Sequence, residues 1–229
     1  MEVRFLHNPN STHGYVACAL SSTVFHIFKS ENEEWQVEKV LSIPSVNVKG
    51  WALDFMPALV TDFVISLDDK YLYLSNWLHG DVRQYDISDP YHPKLVGQVF
   101  IGGSLREESG VTIVKNDSII DKHATPQQLV SIPKIKNKTI QGSAQMIQLS
   151  LDGKRLYVTN SLFSDWDKQF YPNMVQTNSQ LVKIDIDTEK GGLTLDQDFL
   201  VDFVSSNNVK YLAHETRYPG GDCTSDIWI

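Results

Sequence analysis

Seven histidines are the side chains of this 229-residue sequence best suited to acid–base or metal chemistry near neutral pH. His7 in "RFLHNP" and His214 in "YLAHETRYP" occupy similar places, each near the end of a run that reads as a strand and each before a proline-containing turn. A neutral imidazole is a good ligand for first-row transition metals, and two of them at equivalent positions suit one metal. The plainer alternative is that each packs and bonds a carbonyl or a water. His79 stands in "SNWLHGDVRQYD", between Trp77 and Asp81. A carboxylate at Asp81 could fix the tautomer of a metal-binding imidazole. The plainer alternative is a solvated turn residue beside a Gly-Asp turn. On either reading the turn already has the residues it needs, so His79→Asn is expected to cost well under ~1 kcal/mol as a surface change. His13, His26, His92 and His123 read as structural or solvated.

Cysteine chemistry is sparse. Cys18 lies between Ala17 and Ala19 and reads as core, and Cys223 follows "PGGD" as either a ligand thiol or a small buried hydrophobe. With two cysteines there is no disulfide framework and no C-x-x-C pair. Neither a phosphate-binding glycine loop nor a G-x-S-x-G or H-E-x-x-H signature occurs. Aspartates 86, 89, 185 and 187 fit turn capping better than calcium.

The elements that must hold these residues repeat. "ISLDDKYLYLSNWL" (65–78) and "LSLDGKRLYVTNSL" (149–162) agree at eight of fourteen positions, at an offset of 84 residues. A fainter copy, "YVACALSSTVFHIF" (15–28), lies 58 residues before "YLSNWLHGDVRQYD". Each unit holds short alternating strands joined by Asp-, Gly- and Pro-rich turns, four strands in about forty residues, which is the content of one β-propeller blade. The expected fold is all-β, with blades at 1–45, 61–102 and 145–205 and a partial blade at 210–229. Residues 46–60 read as a loop, 103–144 as a polar surface insertion, and 163–178 as an interruption with one helical turn. The partial blade is expected to pair a strand at 211–216 with the terminal "DIWI". Three blades and a part make about half of a propeller. Such a chain has open edges, to be met by a missing N-terminal half or by a second copy.

The bulk numbers limit partners. Net charge is -8, from 20 basic and 28 acidic residues, and no basic stripe appears, which argues against nucleic acid. No apolar run approaches the ~20 residues of a membrane-spanning helix. The N-terminus does not read as a secretory signal. A reducing, cytosol-like compartment is the expectation.

The stretches "SLDDKYLYLSNWLHGDVRQYDISDP", "QMIQLSLDGKRLYVTNSLFSDWDKQFYP" and "AHETRYPGGDCTSDIWI" closely resemble the selenium-binding protein 1 family, whose members act as methanethiol oxidases. The resemblance runs over almost the whole chain and weakens across 103–144. It implies a seven-bladed propeller in the cytoplasm and nucleus that oxidises a small thiol with O2, using copper held by histidines. By that implication His7, His79 and His214 are the candidate copper ligands. Asp81, Arg217, Asp222 and Cys223 are candidates for the side chains behind them. The family's N-terminal half, with further histidines and the cysteine associated with selenium, has no counterpart here. Cys18 and Cys223 are different positions, so no residue present supports selenium binding. The alternative function is a non-catalytic propeller fragment serving as an interaction scaffold.

Overall fold

The computed structural model describes residues 2–114, 128–204 and 210–219, and β-strand dominates them. Strands β1 (Glu2–Phe5), β2 (His13–Cys18), β3 (Thr23–Lys29) and β4 (Trp35–Ser42) form a four-stranded antiparallel sheet in chain order. After β5 (Val46–Lys49) and β6 (Phe55–Met56) comes a second such sheet: β7 (Val60–Ile65), β8 (Tyr71–Asn76), β9 (Asp81–Asp86) and β10 (Lys94–Phe100). β11 (Thr112–Ile113) pairs with β5, and β12 (Lys134–Ile135) pairs with β13 (Lys138–Thr139). The third four-stranded sheet holds β14 (Ile147–Leu149), β15 (Arg155–Thr159), β16 (Ser179–Ile186) and β17 (Leu193–Phe203).

The repeated sequence produces repeated bonds. The Ser66 hydroxyl donates to Asp68 and accepts from the Tyr71 N–H, and Ser150 does the same with Asp152 and Arg155. The backbone follows: Asp69 N–H donates to Ser66 O and Gly153 N–H to Ser150 O, at 2.9 and 2.8 Å. Both turns need a left-handed residue, supplied by Asp69 (φ 58°) and Gly153 (φ 70°). Aspartate and glycine are among the residues that tolerate this region best.

Alternation then sets the packing. Leu72, Leu74 and Phe63 face the first sheet, where Tyr15 and Val24 join them. Tyr71, Tyr73 and Val82 face the third sheet, against Leu156, Val158 and Ile184. A strand that is buried on both faces reads as a continuous apolar run, as "YLYL" does. The first strands stand side by side with their beginnings level. Arg4 Nε donates to Phe63 O at 2.5 Å, Thr61 Oγ1 to Gln145 O at 2.9 Å, and Ile147 N–H to Asp62 Oδ2 at 2.8 Å.

Three connections differ from their sequence reading. Residues 46–60 are not a plain loop: Val46 and Val48 alternate into a buried strand, and Met56 closes a small sheet. Residues 103–144 are not a surface excursion throughout, because Leu105, Val111, Ile135 and Ile140 carry apolar bulk into the core. The approach is close at Gly80, whose φ is 89° and where a Cβ would lie 1.9 Å from Gly102 O. Between β15 and β16 stand two short helices, α1 (Ser164–Phe170) and α2 (Pro172–Gln176), rather than one turn.

Residues 211–216 form no strand. They are held by isolated bonds: Ser161 N–H to Ala213 O at 3.0 Å and Ala213 N–H to Ser179 Oγ at 2.6 Å. The "DIWI" partner expected for them lies outside the described residues, as does His123.

Candidate functional site

The alignment of first strands decides which histidines can meet. His79 follows β8, which runs back along β7, so it returns to the end where the first strands begin. His214 is at that end too, because its carbonyl accepts from Thr159 Oγ1, at the close of β15, at 2.7 Å. His7 lies at the other end. Its N–H donates to Asp69 Oδ1 at 2.7 Å, and Asp69 sits in the turn that follows β7. Six strand residues separate the two ends, about 16 Å of chain. His7 and His214 are therefore not at equivalent positions, and His7 does not share a centre with the other two.

His79 is not a solvated turn residue. It is completely buried, and its Nε2–H donates to Met56 O at 3.1 Å. The carbonyl thereby places the ring proton on Nε2 and leaves the Nδ1 lone pair without a partner. Burial pushes its pKa down to about 4, against the opposing pull of Asp81, so the ring is neutral. The tautomer is thus set by Met56 rather than by Asp81. The Asp81 carboxylate instead accepts from Arg83 Nε and Gln98 Nε2, both at 2.6 Å, in a buried ion pair.

His214 shows the complementary arrangement. Its Nδ1–H donates to Ser161 O at 3.1 Å, which turns Nε2 into the available lone pair on an exposed ring. Asp167, from α1, is completely buried nearby and accepts from Ser161 Oγ at 2.6 Å and the Leu162 N–H at 3.1 Å. Burial raises its carboxyl above the usual range, while the nearby His214 pulls it down. Arg217 lies 3.4 Å from Glu215, and Asp222 and Cys223 are outside the described residues.

Among the described residues, no three histidine, cysteine or acidic side chains converge as a metal centre. His79 and His214 are each in the state that a metal ligand needs, with one ring nitrogen tied to a carbonyl and the other available.

Sequence reasoning passed over the carboxylates at this end. Asp62 and Glu2 converge beside Arg4, which lies 3.8 Å from Asp62 and 2.6 Å from Glu2. Burial, and then the charge of Glu2, push Asp62 well above the usual carboxylate range. The available signal was the polar position in "VTDFVI", an aspartate within an otherwise buried strand.

Repeated four-stranded antiparallel sheets standing side by side, with His79, His214 and the Asp62–Glu2 pair all at the end where first strands begin, define a β-sheet-repeat protein. The chain belongs to the 56 kDa selenium-binding protein family, whose model matches residues 1–229. It is 56% identical over 229 residues to a methanethiol oxidase of Xenopus tropicalis and 54% identical to that of Homo sapiens. Selenium-binding protein 2 of Mus musculus is also 54% identical. Each match covers 100% of this chain and 47% of the relative, so the chain spans about half the length of the relatives it matches. A hypothetical selenium-binding protein from Sulfolobus tokodaii has a similar structure, with TM-score 0.75 and 36% identity over 100% of this chain and 46% of that one.

Proposed function

We propose that this chain forms part of a thiol oxidase built on a seven-bladed propeller. The observation that carries the reading is the 54–56% identity, along the entire chain, to methanethiol oxidases. In the reaction, one molecule each of methanethiol, dioxygen and water gives one each of formaldehyde, hydrogen sulfide and hydrogen peroxide. Carbon loses two electrons, dioxygen gains two electrons and two protons, and water supplies the aldehyde oxygen as the carbon–sulfur bond breaks.

His79 and His214 would contribute to holding copper, with further donors from outside the described residues. Copper, when bound, would stabilise the thiolate and take up electrons. The chain's own part is to orient and to exclude water. Met56 and Ser161 hold the two imidazoles in fixed tautomers, and Trp77, packed against Tyr171 and Phe170, keeps water from the buried turn that carries His79. Asp62 and Glu2 can take or release a proton at the same end.

The first sheet favours a partner. Val3, Phe5, Trp35 and Val37 are exposed on one face, and the Phe5 and Trp35 rings meet at 5.8 Å. We propose that a further four-stranded sheet covers this face, as the third sheet covers the second. The relatives' additional length would supply it, and a second copy would substitute for it. Copper content and sulfide release, measured on a relative carrying this chain in place of its aligned segment, test the enzymatic reading.

A further inference from the structure

The end that carries His79 and His214 also carries two adjoining cavities. One, of about 320 Å3, has Glu2, Thr61 and Asp62 as its polar lining and Leu20, Leu59 and Trp166 among its apolar walls. The other, of about 330 Å3, shares Leu20, Leu59 and Trp166 and continues along Trp51, Phe55 and Phe170. Together they form an apolar cleft with a carboxyl pair at one end. Ligand sites combine apolar walls with a few convergent polar groups in this manner, and each cavity has the volume of a small organic molecule.

The chemistry of the two ends is distinct. Asp62 is nearly all buried and accepts from the Ile147 N–H at 2.8 Å, which fixes its carboxyl against β14. A proton held between Asp62 and Glu2 still leaves carboxyl lone pairs as acceptors, so the polar end can take a ligand that donates. Arg4 balances one of the two acidic charges, which weakens the case for a cationic ligand. Trp166 stands at the mouth on α1, braced by Trp77 at 6.2 Å and Phe170 at 6.4 Å, and is 41% exposed. The volume far exceeds a one-carbon thiol, because a cavity of roughly 150 Å3 already holds benzene.

We propose that this cleft binds thiols with apolar groups larger than methyl. The S–H points at the Asp62–Glu2 pair, and the alkyl or aryl group lies along Leu20, Leu59 and Trp166. The inference rests on the thiol-oxidase reading and adds to it the positioning residues and the breadth of substrate. Asp62 orients the thiol, and Trp166 covers its apolar part.

The test is a titration of the 229-residue chain under argon, followed by tryptophan fluorescence, with benzyl mercaptan, benzyl methyl sulfide and benzylamine as probes. The thiol is expected to bind about tenfold more tightly than the sulfide, which has the same ring but no S–H. Asp62→Asn should keep the bond to Ile147 and bring the thiol down to the affinity of the sulfide, with circular dichroism unchanged. Trp166→Ala, which removes apolar wall and leaves the carboxyls in place, should weaken both ligands alike. Equal affinity for thiol and sulfide, or an unaltered preference in Asp62→Asn, would overturn the proposal. Tightest binding of benzylamine would overturn it in favour of a cation site. Selective thiol binding alongside a complete relative that releases no sulfide would sink the oxidase reading and leave the cleft standing.

Discussion

His79 faces Met56 across 3.1 Å, and this one bond converts a turn residue into a core element. Met56 belongs to β6, which the sequence shows only as part of an apolar, proline-broken stretch. The imidazole therefore joins the second sheet to the small sheet formed by β5, β6 and β11. His79→Asn should cost about 1–3 kcal/mol, because the shorter amide leaves the buried carbonyl of Met56 without its donor. Urea denaturation of both forms measures this directly. A difference under about half a kcal/mol, the range of a surface substitution, would return His79 to the surface.

Acid should weaken the fold through two imidazoles. His79 and His26 are both pushed down to about 4, His79 by burial and His26 by burial and then by the charge of His13. Between about pH 6.5 and pH 4 the unfolded chain binds these protons and the folded chain does not. Stability is therefore full above the unfolded value and falls as pH drops through that window. His26→Phe, which keeps a ring stacked on Phe28 and edge-on to Tyr91, should flatten part of the slope. Denaturation midpoints at about pH 7.5, 6 and 5, one above the window and two within it, decide the matter. Parallel curves for the two proteins would refute it.

The two serine turns should be energetically alike. Ser66 and Ser150 each bind an aspartate two residues on and a backbone N–H five residues on. Ser66→Ala and Ser150→Ala should each destabilise by about 1–2 kcal/mol in urea denaturation. Equality of the pair is the sharper claim, since one silent variant would show that the repeat is geometric only.

The uncovered face of the first sheet should drive self-association. Val3, Phe5, Trp35 and Val37 are each at least half exposed on one continuous sheet face, the kind of apolar patch that marks an interaction surface. Sedimentation velocity of the isolated chain should show dimers or larger species, and Val37→Lys should shift them toward monomer. A monodisperse, cooperatively folding monomer of the parent chain would contradict the assignment.

The repeat was the most legible feature of the sequence. Alternating apolar residues and Asp-Gly or Asp-Asp turns act locally, so the three four-stranded sheets could be read from 14-residue matches. The burial of His79 was not legible, because it depends on Met56 in another sheet and on residues 102–103 packing against Gly80. His7 and His214 looked equivalent because both precede a proline turn. Only the level beginnings of β1, β7 and β14 show that they stand at opposite ends. Asp62 was overlooked for a similar reason: its partners, Glu2, Arg4 and Ile147, come from two other sheets.

The central claim is that this chain serves thiol oxidation through the end that bears His79 and His214. The most direct measurement is sulfide and hydrogen peroxide release from methanethiol by the Homo sapiens relative, with this chain replacing its aligned segment. The expected result is equimolar release of the two products, reduced about 10- to 100-fold, together with bound copper, by His214→Ala. His214 is exposed, so the variant should fold as the parent does. A folded chimera that releases no sulfide, or a His214→Ala form with full copper and full turnover, would contradict the account.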